Sequence, residues 1–339
     1  MDYRYPAWKY SFLRRRGLEV SYGHACAGWI QEFQPDIVIS GNTPTDCQVL
    51  ILRAAHRTGA KFVSWIQDFY GIAVDKILRK KIGLISSPIG FYYRWLDGRI
   101  LRSSDHIVVI TEDFIPLVQA EGVPLEKITS IPNWAIIKEI GIQPKDNHWA
   151  RHHGLNDKFV FLYTGTLGMK HNPALLSDLA RLYRDEAEVR VVVVSEGQGA
   201  TWLTKIKERE GLTNLLVLPY QSFNELPPML GTGDVLIAIL ESEAGVFSVP
   251  SKILSYLCAN RPMLLSMPKE NLASRMVRLA KAGIAVEPDD PKGFYSTASA
   301  FYRDSSLRDA MGRNGRLFAE SNFDITTITD KFLVALGKT

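Results

Sequence analysis

Apolar runs of strand length, each followed by a helical pattern, recur along this chain and limit its fold more than any other feature. In the second half they read Lys158–Thr164, Val189–Val194, Leu215–Leu218, Val235–Leu240, Pro262–Ser266 and Ile284–Val286; in the first half, Asp36–Ser40, Lys61–Ile66, His106–Thr111 and Ile128–Pro132. These runs are apolar without alternation, so both faces of each strand must be covered, as in a parallel sheet with helices on either side. Strand, helix and strand follow one another within about thirty residues, the length of a βαβ unit. At 339 residues the chain also exceeds what one small core supports. The expected fold class is α/β, with two doubly wound domains and a cleft between them. The first domain is expected over 1–143 and the second over 144–322, with the polar stretch Pro144–Asn156 as the linker.

Composition excludes more than it assigns. A chain that is 46% apolar and 22% charged is globular, and a net charge of +4 is too small to argue for nucleic acid. Cys26, Cys47 and Cys258 lack CxxC spacing and read as buried small hydrophobes in a reducing compartment. His148, His152 and His153 cluster without a metal-ligand pattern and are expected to face solvent. No apolar run reaches the roughly eighteen residues that cross a bilayer, and the first residues carry no apolar signal core. The expectation is a cytoplasmic protein that meets a membrane only from its surface.

The stretch Lys76–Arg102 offers a means for that contact. Lys76, Arg79, Lys80, Lys81, Arg94, Arg99 and Arg102 stand there against Asp97 alone, interleaved with Phe91, Tyr92, Tyr93 and Trp95. Basic residues mixed with aromatics suit anionic lipid headgroups, and the same pattern also fits a solvated face over a core-facing stripe. Nucleic acid is not expected, because no nucleic-acid-binding motif accompanies the patch.

Two loops carry the chemistry. The segment Glu241 to Lys252 leaves an apolar strand and enters a helical pattern, with Pro250 suited to a first helical turn and Ser251 and Lys252 adding a hydroxyl and a positive charge. The loop Gly165-Thr166-Leu167-Gly168-Met169-Lys170 follows the second domain's first strand, and its glycines let the backbone approach a ligand closely. Strand ends and helix starts are where doubly wound sheets bind anions, so Lys170 and Lys252 together read as a clamp for a diphosphate. Singly, each loop also fits an ordinary turn with a surface lysine. Ser195 to Gly199 contains GxG but has Trp202 where a third glycine would stand, which argues against a dinucleotide fingerprint.

Taken together, Tyr163 to Pro173, Ser195-Glu196-Gly197, Ala244 to Lys252 with Asn260-Arg261-Pro262, and Met311 to Arg316 resemble a family 4 glycosyltransferase of GT-B fold. Gly41 to Pro44, Trp65 to Asp68 and Ser130 to Trp134 resemble the bacterial subgroup that builds cell-surface polysaccharide such as colanic acid or O-antigen. The resemblance implies two Rossmann-like domains, with the helix over 323–339 packing back toward the first. It implies retaining transfer of a sugar from a nucleotide donor, a UDP-sugar by expectation, to a lipid-linked or saccharide acceptor at the inner face of the cell membrane, with no cofactor and no required metal. Asp68, Lys170, Glu243 and Lys252 would serve catalysis. Gly165, Thr166, Glu196, Gly197, Tyr220, Gly245, Val246, Phe247, Ser248, Pro250, Ser251 and Ser255 would hold the donor. Glu243 could also be a solvated loop acid and Asp68 a helix cap.

The chain departs from the family at three places. Many members pair two glutamates across the organising stretch, the second holding the ribose; here Ser251 or Ser255 stands in that place. Gln67 stands where many relatives have histidine, so no histidine base is expected. The opening, with Tyr3, Tyr5, Trp8 and Tyr10, is not a strand followed by a glycine loop, so the first sheet is expected to lack its first strands and to expose an edge. Two other functions remain open: a nucleotide-sugar epimerase of the same fold, and an inactive, truncated homologue acting as a scaffold.

Overall fold

The structure, a computed structural model, describes residues 12–69, 87–240 and 251–337. The chain falls into two compact units, Met1–Asn133 with Asp330–Thr339, and Trp134–Thr329.

The first unit runs α1 (Phe12–Phe33), β1 (Ile37–Gly41), α2 (Thr45–Thr58), β2 (Lys61–Ile66), α3 (Ser87–Ser103), β3 (His106–Val109), α4 (Ile115–Ala120) and β4 (Ile128–Ser130). Its sheet is parallel with the order β1-β2-β3-β4. Helix α2 shows why these residues fold locally. Cys47, Ile51, Ala54 and Ala55 form one buried stripe, and Gly59, at φ 80°, closes the helix by donating to Ala55 and His56 carbonyls. At the sheet edge, Ile39 of β1 remains 44% exposed. Near the chain's other end, Phe332 meets the Trp65 ring edge-on at 5.3 Å. The basic-aromatic stretch is described only from residue 87 onward. There α3 divides its side chains: Tyr93, Leu96, Ile100 and Leu101 are buried, while Phe91, Tyr92 and Trp95 are exposed.

The second unit runs α5 (His148–His152), β5 (Phe159–Thr164), α6 (Ala174–Leu182), β6 (Val189–Val194), α7 (Gln198–Glu210), β7 (Leu215–Leu218), α8 (Leu226–Thr232), β8 (Val235–Ile239), α9 (Lys252–Cys258), β9 (Met263–Ser266), α10 (Leu272–Leu279), β10 (Gly283–Val286), α11 (Pro291–Arg303), α12 (Ser305–Asn322) and α13 (Ile325–Ala335), the last of which ends in the first unit. The sheet is parallel with the order β10-β9-β8-β5-β6-β7. Alternate residues of each strand feed two separate cores. Val160, Leu162, Leu236 and Ala238 face one of them, and Phe161, Tyr163, Val191 and Ile237 face the other. That double burial accounts for the uninterrupted apolar runs.

The stretch 144–156 is not a linker but a wall of the second unit. Asn147 caps α5 by accepting from the backbone N–H of Trp149 and Ala150 at 2.9 and 3.1 Å, and Trp149, Ala150 and Leu155 are buried in the core. Lys145 pairs with Asp234, whose carboxylate also accepts from Val160 N–H at 2.7 Å. The polar composition concealed these two large apolar anchors. His148 and His152 are exposed as expected, whereas His153 is half-buried with its ring 4.4 Å from that of Trp149. Among the described residues no helix is long and apolar enough to cross a membrane.

Candidate active site

Counted from β5, the second unit's strands run 3-2-1-4-5-6, so β5 and its neighbour β8 are joined to the rest of the sheet in opposite directions. Crevices at such switch points, beyond the carboxyl ends of the strands, are where doubly wound sheets bind ligands. Pairing of β5 with β8 stops at Tyr163 and Ile237, while pairing with β6 continues through Thr164 and Val194. Thr164 and the loop after it therefore line the point where β5 parts from β8.

Lys252 reaches this point. It is half-buried at the first position of α9, and its Nζ donates to the Thr164 carbonyl at 2.6 Å and lies 4.1 Å from the centre of the Tyr163 ring. Burial holds its pKa down at about 8, because removal from water disfavours the ammonium. Gly165 follows at φ 103°, and a Cβ on it would come within 3.1 Å of Nζ. Glycine is thus favoured twice over, for its backbone conformation and for the room its missing Cβ leaves beside the ammonium. Helix α9 is only seven residues long, so the fixed charge of Lys252, rather than a helix dipole, is the anion-attracting element.

The rest of the loop is held in place by its neighbours. Tyr163 Oη donates to the Thr166 carbonyl at 3.0 Å, and Thr166 Oγ1 lies 2.7 Å from Tyr220 Oη. Leu167 N–H donates to the Glu196 carbonyl at 3.4 Å, and Gly199 N–H to the Leu167 carbonyl at 2.9 Å. A Cβ at Gly199 would sit 2.6 Å from that carbonyl oxygen. The GxG of Gly197 and Gly199 accordingly docks one loop on another, consistent with the lack of a dinucleotide fingerprint. Gly168 N–H donates to His171 Nδ1 at 3.1 Å, and Asn172 takes a left-handed conformation before α6.

The structure thus brings Gly165, Thr166, Glu196, Gly197, Tyr220 and Lys252 to one group of loops at the ends of β5, β6 and β7, with Glu196 and Tyr220 exposed. Ser251 is exposed just before α9 and Ser255 is half-buried on it. Glu243, Gly245, Val246, Phe247, Ser248 and Pro250 lie outside the described residues, as does the side chain of Lys170, whose backbone forms part of the turn Met169–His171. Sequence reasoning passed over Thr164, Tyr163 and Tyr256 as site residues. The four-residue interval from Lys252 to Tyr256, one turn of a helix, was the available signal.

Asp68 belongs to a different place, in the first unit. It lines a cavity of about 290 Å³ at the ends of β1 and β2, together with Asn42, Thr43, Thr45, Gln48, Trp65, Phe69 and Asp97. Gly41 gives the Trp65 ring its room, since a Cβ there would lie 3.0 Å from it. Thr45 Oγ1 donates to Asp97 at 2.8 Å. Partial burial raises the Asp68 pKa above the ordinary carboxylate value. Among the described residues no group of three or more His, Cys, Asp or Glu side chains is arranged to hold a metal ion.

Both halves of the chain match known domains. Residues 3–134 match a glycosyl transferase 4-like domain, and residues 158–304 match the glycosyl transferases group 1 domain. The chain is 25% identical over 312 residues to the colanic acid biosynthesis glycosyl transferase WcaI of Escherichia coli, covering 89% of this chain and 74% of that protein. It is 25% identical over 264 residues to the glycosyltransferase WbjE of Pseudomonas aeruginosa, covering 76% of this chain and 63% of that protein. The fold is similar to that of Anabaena Alr3699/HepE solved in complex with UDP, with a TM-score of 0.74 at 14% identity, over 94% of this chain and 82% of the other. The lipopolysaccharide outer core galactosyltransferase WaaB has the same fold, with a TM-score of 0.60 at 16% identity, over 98% of this chain and 82% of the other. The two parallel-sheet units are those of a GT-B fold, and the chain is a glycosyltransferase that carries a glycosyl transferase 4-like domain and a glycosyl transferases group 1 domain.

Proposed function

We propose that this glycosyltransferase moves a sugar from a UDP-sugar to a lipid-linked or saccharide acceptor in cell-surface polysaccharide synthesis, with retention at the anomeric carbon. The observation that carries the reading is the Lys252 ammonium, half-buried at the switch point beside a glycine that leaves it uncovered. Burial disfavours that charge, and an anionic ligand is what compensates it. A neighbour of the same fold was solved with UDP and with UDP-glucose, and the name of WcaI attaches it to colanic acid, which supports the choice of donor and pathway class.

In this reading the diphosphate lies against Lys252 and Lys170, with Gly165 and Thr166 beside it. Glu196, Gly197 and Tyr220 face the nucleoside, Ser251 and Ser255 flank the ribose, and Gly245 to Ser248, Pro250 and Glu243 meet the sugar and its phosphate. The bond from the anomeric carbon to the β-phosphate oxygen breaks while the acceptor oxygen bonds to the same face of that carbon. The acceptor's proton passes to the departing diphosphate, whose charge Lys252 stabilises. No metal enters the scheme, since lysine meets the charge. Asp68 and its cavity bind the acceptor. Calorimetry on the purified protein tests the donor reading: UDP is expected to bind at least tenfold more tightly than uridine, and equal affinities would remove the clamp.

A second observation favours a membrane-side location. Phe91 and Trp95, one turn apart on α3, are 71% and 47% exposed, beside the exposed Arg94 and Arg99, and the Arg99 guanidinium lies 5.7 Å from the Trp95 ring. Aromatic and basic side chains on one helix surface fit the boundary of an anionic leaflet. The protein would then work peripherally on the inner face of the cell membrane. Vesicles with anionic lipid are expected to retain it and neutral vesicles to release it; equal retention would remove this reading.

A further inference from the structure

Tyr256 is buried to within 1% of full coverage and its hydroxyl is fully engaged. Thr164 N–H lies 3.1 Å from Oη and Thr164 Oγ1 lies 3.2 Å from it, while Oη donates to the Ile237 carbonyl at 3.2 Å. With its one proton given to Ile237, the oxygen accepts both contacts from Thr164, which uses both lone pairs. Burial pushes the phenol up to about 12, so it remains a neutral donor and acceptor throughout the physiological range.

These partners belong to the two strands that part at the switch point. Thr164 ends β5 and Ile237 lies on β8, and pairing of the two strands stops one residue earlier, at Tyr163 and Ile237. The hydroxyl therefore stands at the last rung of the β5–β8 pairing, where it contacts the β5 N–H of Thr164 and the β8 carbonyl of Ile237 together.

Lys252 and Tyr256 are one helical turn apart, so they leave α9 on the same side. They take opposite ends of one residue: Tyr256 accepts from the N–H of Thr164, and Lys252 donates to its carbonyl at 2.6 Å. Thr164 is in turn followed directly by Gly165, the residue next to the ammonium.

We infer that Tyr256 is a positioning residue for donor binding: its hydroxyl ties the end of β5 to β8 and, through Thr164, fixes both the Lys252 ammonium and the Gly165 backbone against which a diphosphate is held. This rests on the donor-site reading above and adds to it a residue that touches no ligand.

The experiment titrates Lys252 directly, so that its outcome does not depend on donor binding. Protein carrying carbon-13 at lysine Cε is titrated by NMR as wild type, as Tyr256→Phe and as Thr164→Val, with the Lys252 signal assigned through Lys252→Met. In wild type the midpoint is expected near pH 8; in Tyr256→Phe it is expected to move up by a pH unit or more as the ammonium is released toward water. UDP affinity is expected to fall about tenfold with uridine affinity unchanged. Thr164→Val, which keeps the side-chain shape and removes one contact, is expected to shift the midpoint in the same direction by less, and it serves alone if Tyr256→Phe does not fold. A Lys252 midpoint unchanged in the folded variants, with only the melting temperature lowered, would make Tyr256 a packing residue and overturn the inference. A shifted midpoint in a protein that never distinguishes UDP from uridine would keep Tyr256 as the residue that positions Lys252 and remove the donor reading instead.

Discussion

The candidate donor-side loops of the second unit and the Asp68 cavity of the first both lie at the carboxyl ends of parallel strands, yet they are built differently. The second unit's group is anchored from below: Lys252, Thr164 and Tyr256 are tied to each other and to three elements by hydrogen bonds inside a core. The cavity in the first unit is lined in part by loop side chains, Asn42, Thr43 and Asp68 among them, beside a four-stranded sheet whose edge strand leaves Ile39 exposed. A ligand entering the first group meets preset donors; one entering the second meets side chains with freedom left to lose. On the proposed reading, the difference teaches that charge recognition falls where the protein is stiff and shape recognition where it is adaptable.

Each part of that contrast can be broken separately. Lys252→Met should have the largest effect, lowering UDP affinity by roughly a hundredfold, the scale of a charge-assisted contact to phosphate. The same variant should melt no lower than wild type at pH 7. The sign follows from a folded pKa of about 8, below the ordinary lysine value: the charged form is disfavoured by folding, so the lysine costs stability below about pH 8 and the cost fades as pH rises toward 10.5. A calorimetric scan that found a strongly destabilised variant would make the lysine structural. Gly165→Ala comes next. Forcing a side chain into positive φ costs on the order of 1 to 2 kcal/mol, and its Cβ crowds Nζ, so both the melting temperature and UDP affinity should fall, the latter about tenfold.

Titration sharpens the comparison. UDP affinity should be flat below about pH 8 and fall about tenfold by pH 9, because the diphosphate binds the ammonium and the free lysine must first take up a proton. Isothermal titration at pH 9 in two buffers of different ionisation enthalpy should give different heats, and identical heats would contradict it. Asp68→Asn should act only on the other site: several-fold loss in kcat/KM for the acceptor, with UDP affinity unchanged. Smallest is the effect of Phe91→Ser with Trp95→Ser, a few-fold loss of binding to anionic vesicles with activity on a soluble acceptor retained.

Much of this was legible in the residues themselves. The strand runs of the second half, such as Val189–Val194 and Leu215–Leu218, coincide with observed strands because a doubly covered strand needs apolar side chains on both faces. Gly165 and Lys252 were legible as candidate site residues because loop glycines and a lysine after a strand are chemically conspicuous. Tyr256 and Thr164 were not, since each lies within an apolar or helical pattern that packing alone explains. The segment 144–156 misled for the opposite reason, its histidines and charges outnumbering Trp149 and Leu155, the residues that anchor it.

By itself, the sequence determined the class of fold and the position of nearly every strand, because periodicity and burial are local properties of the chain. Which strands became neighbours was decided only by tertiary structure. Setting β5 beside β8 is a long-range choice, and it alone brings Lys252 to the carbonyl of a residue 88 positions earlier and places a tyrosine hydroxyl between two strands. The residue types for anion binding are written along the chain, but their convergence comes from the order of the strands in the sheet.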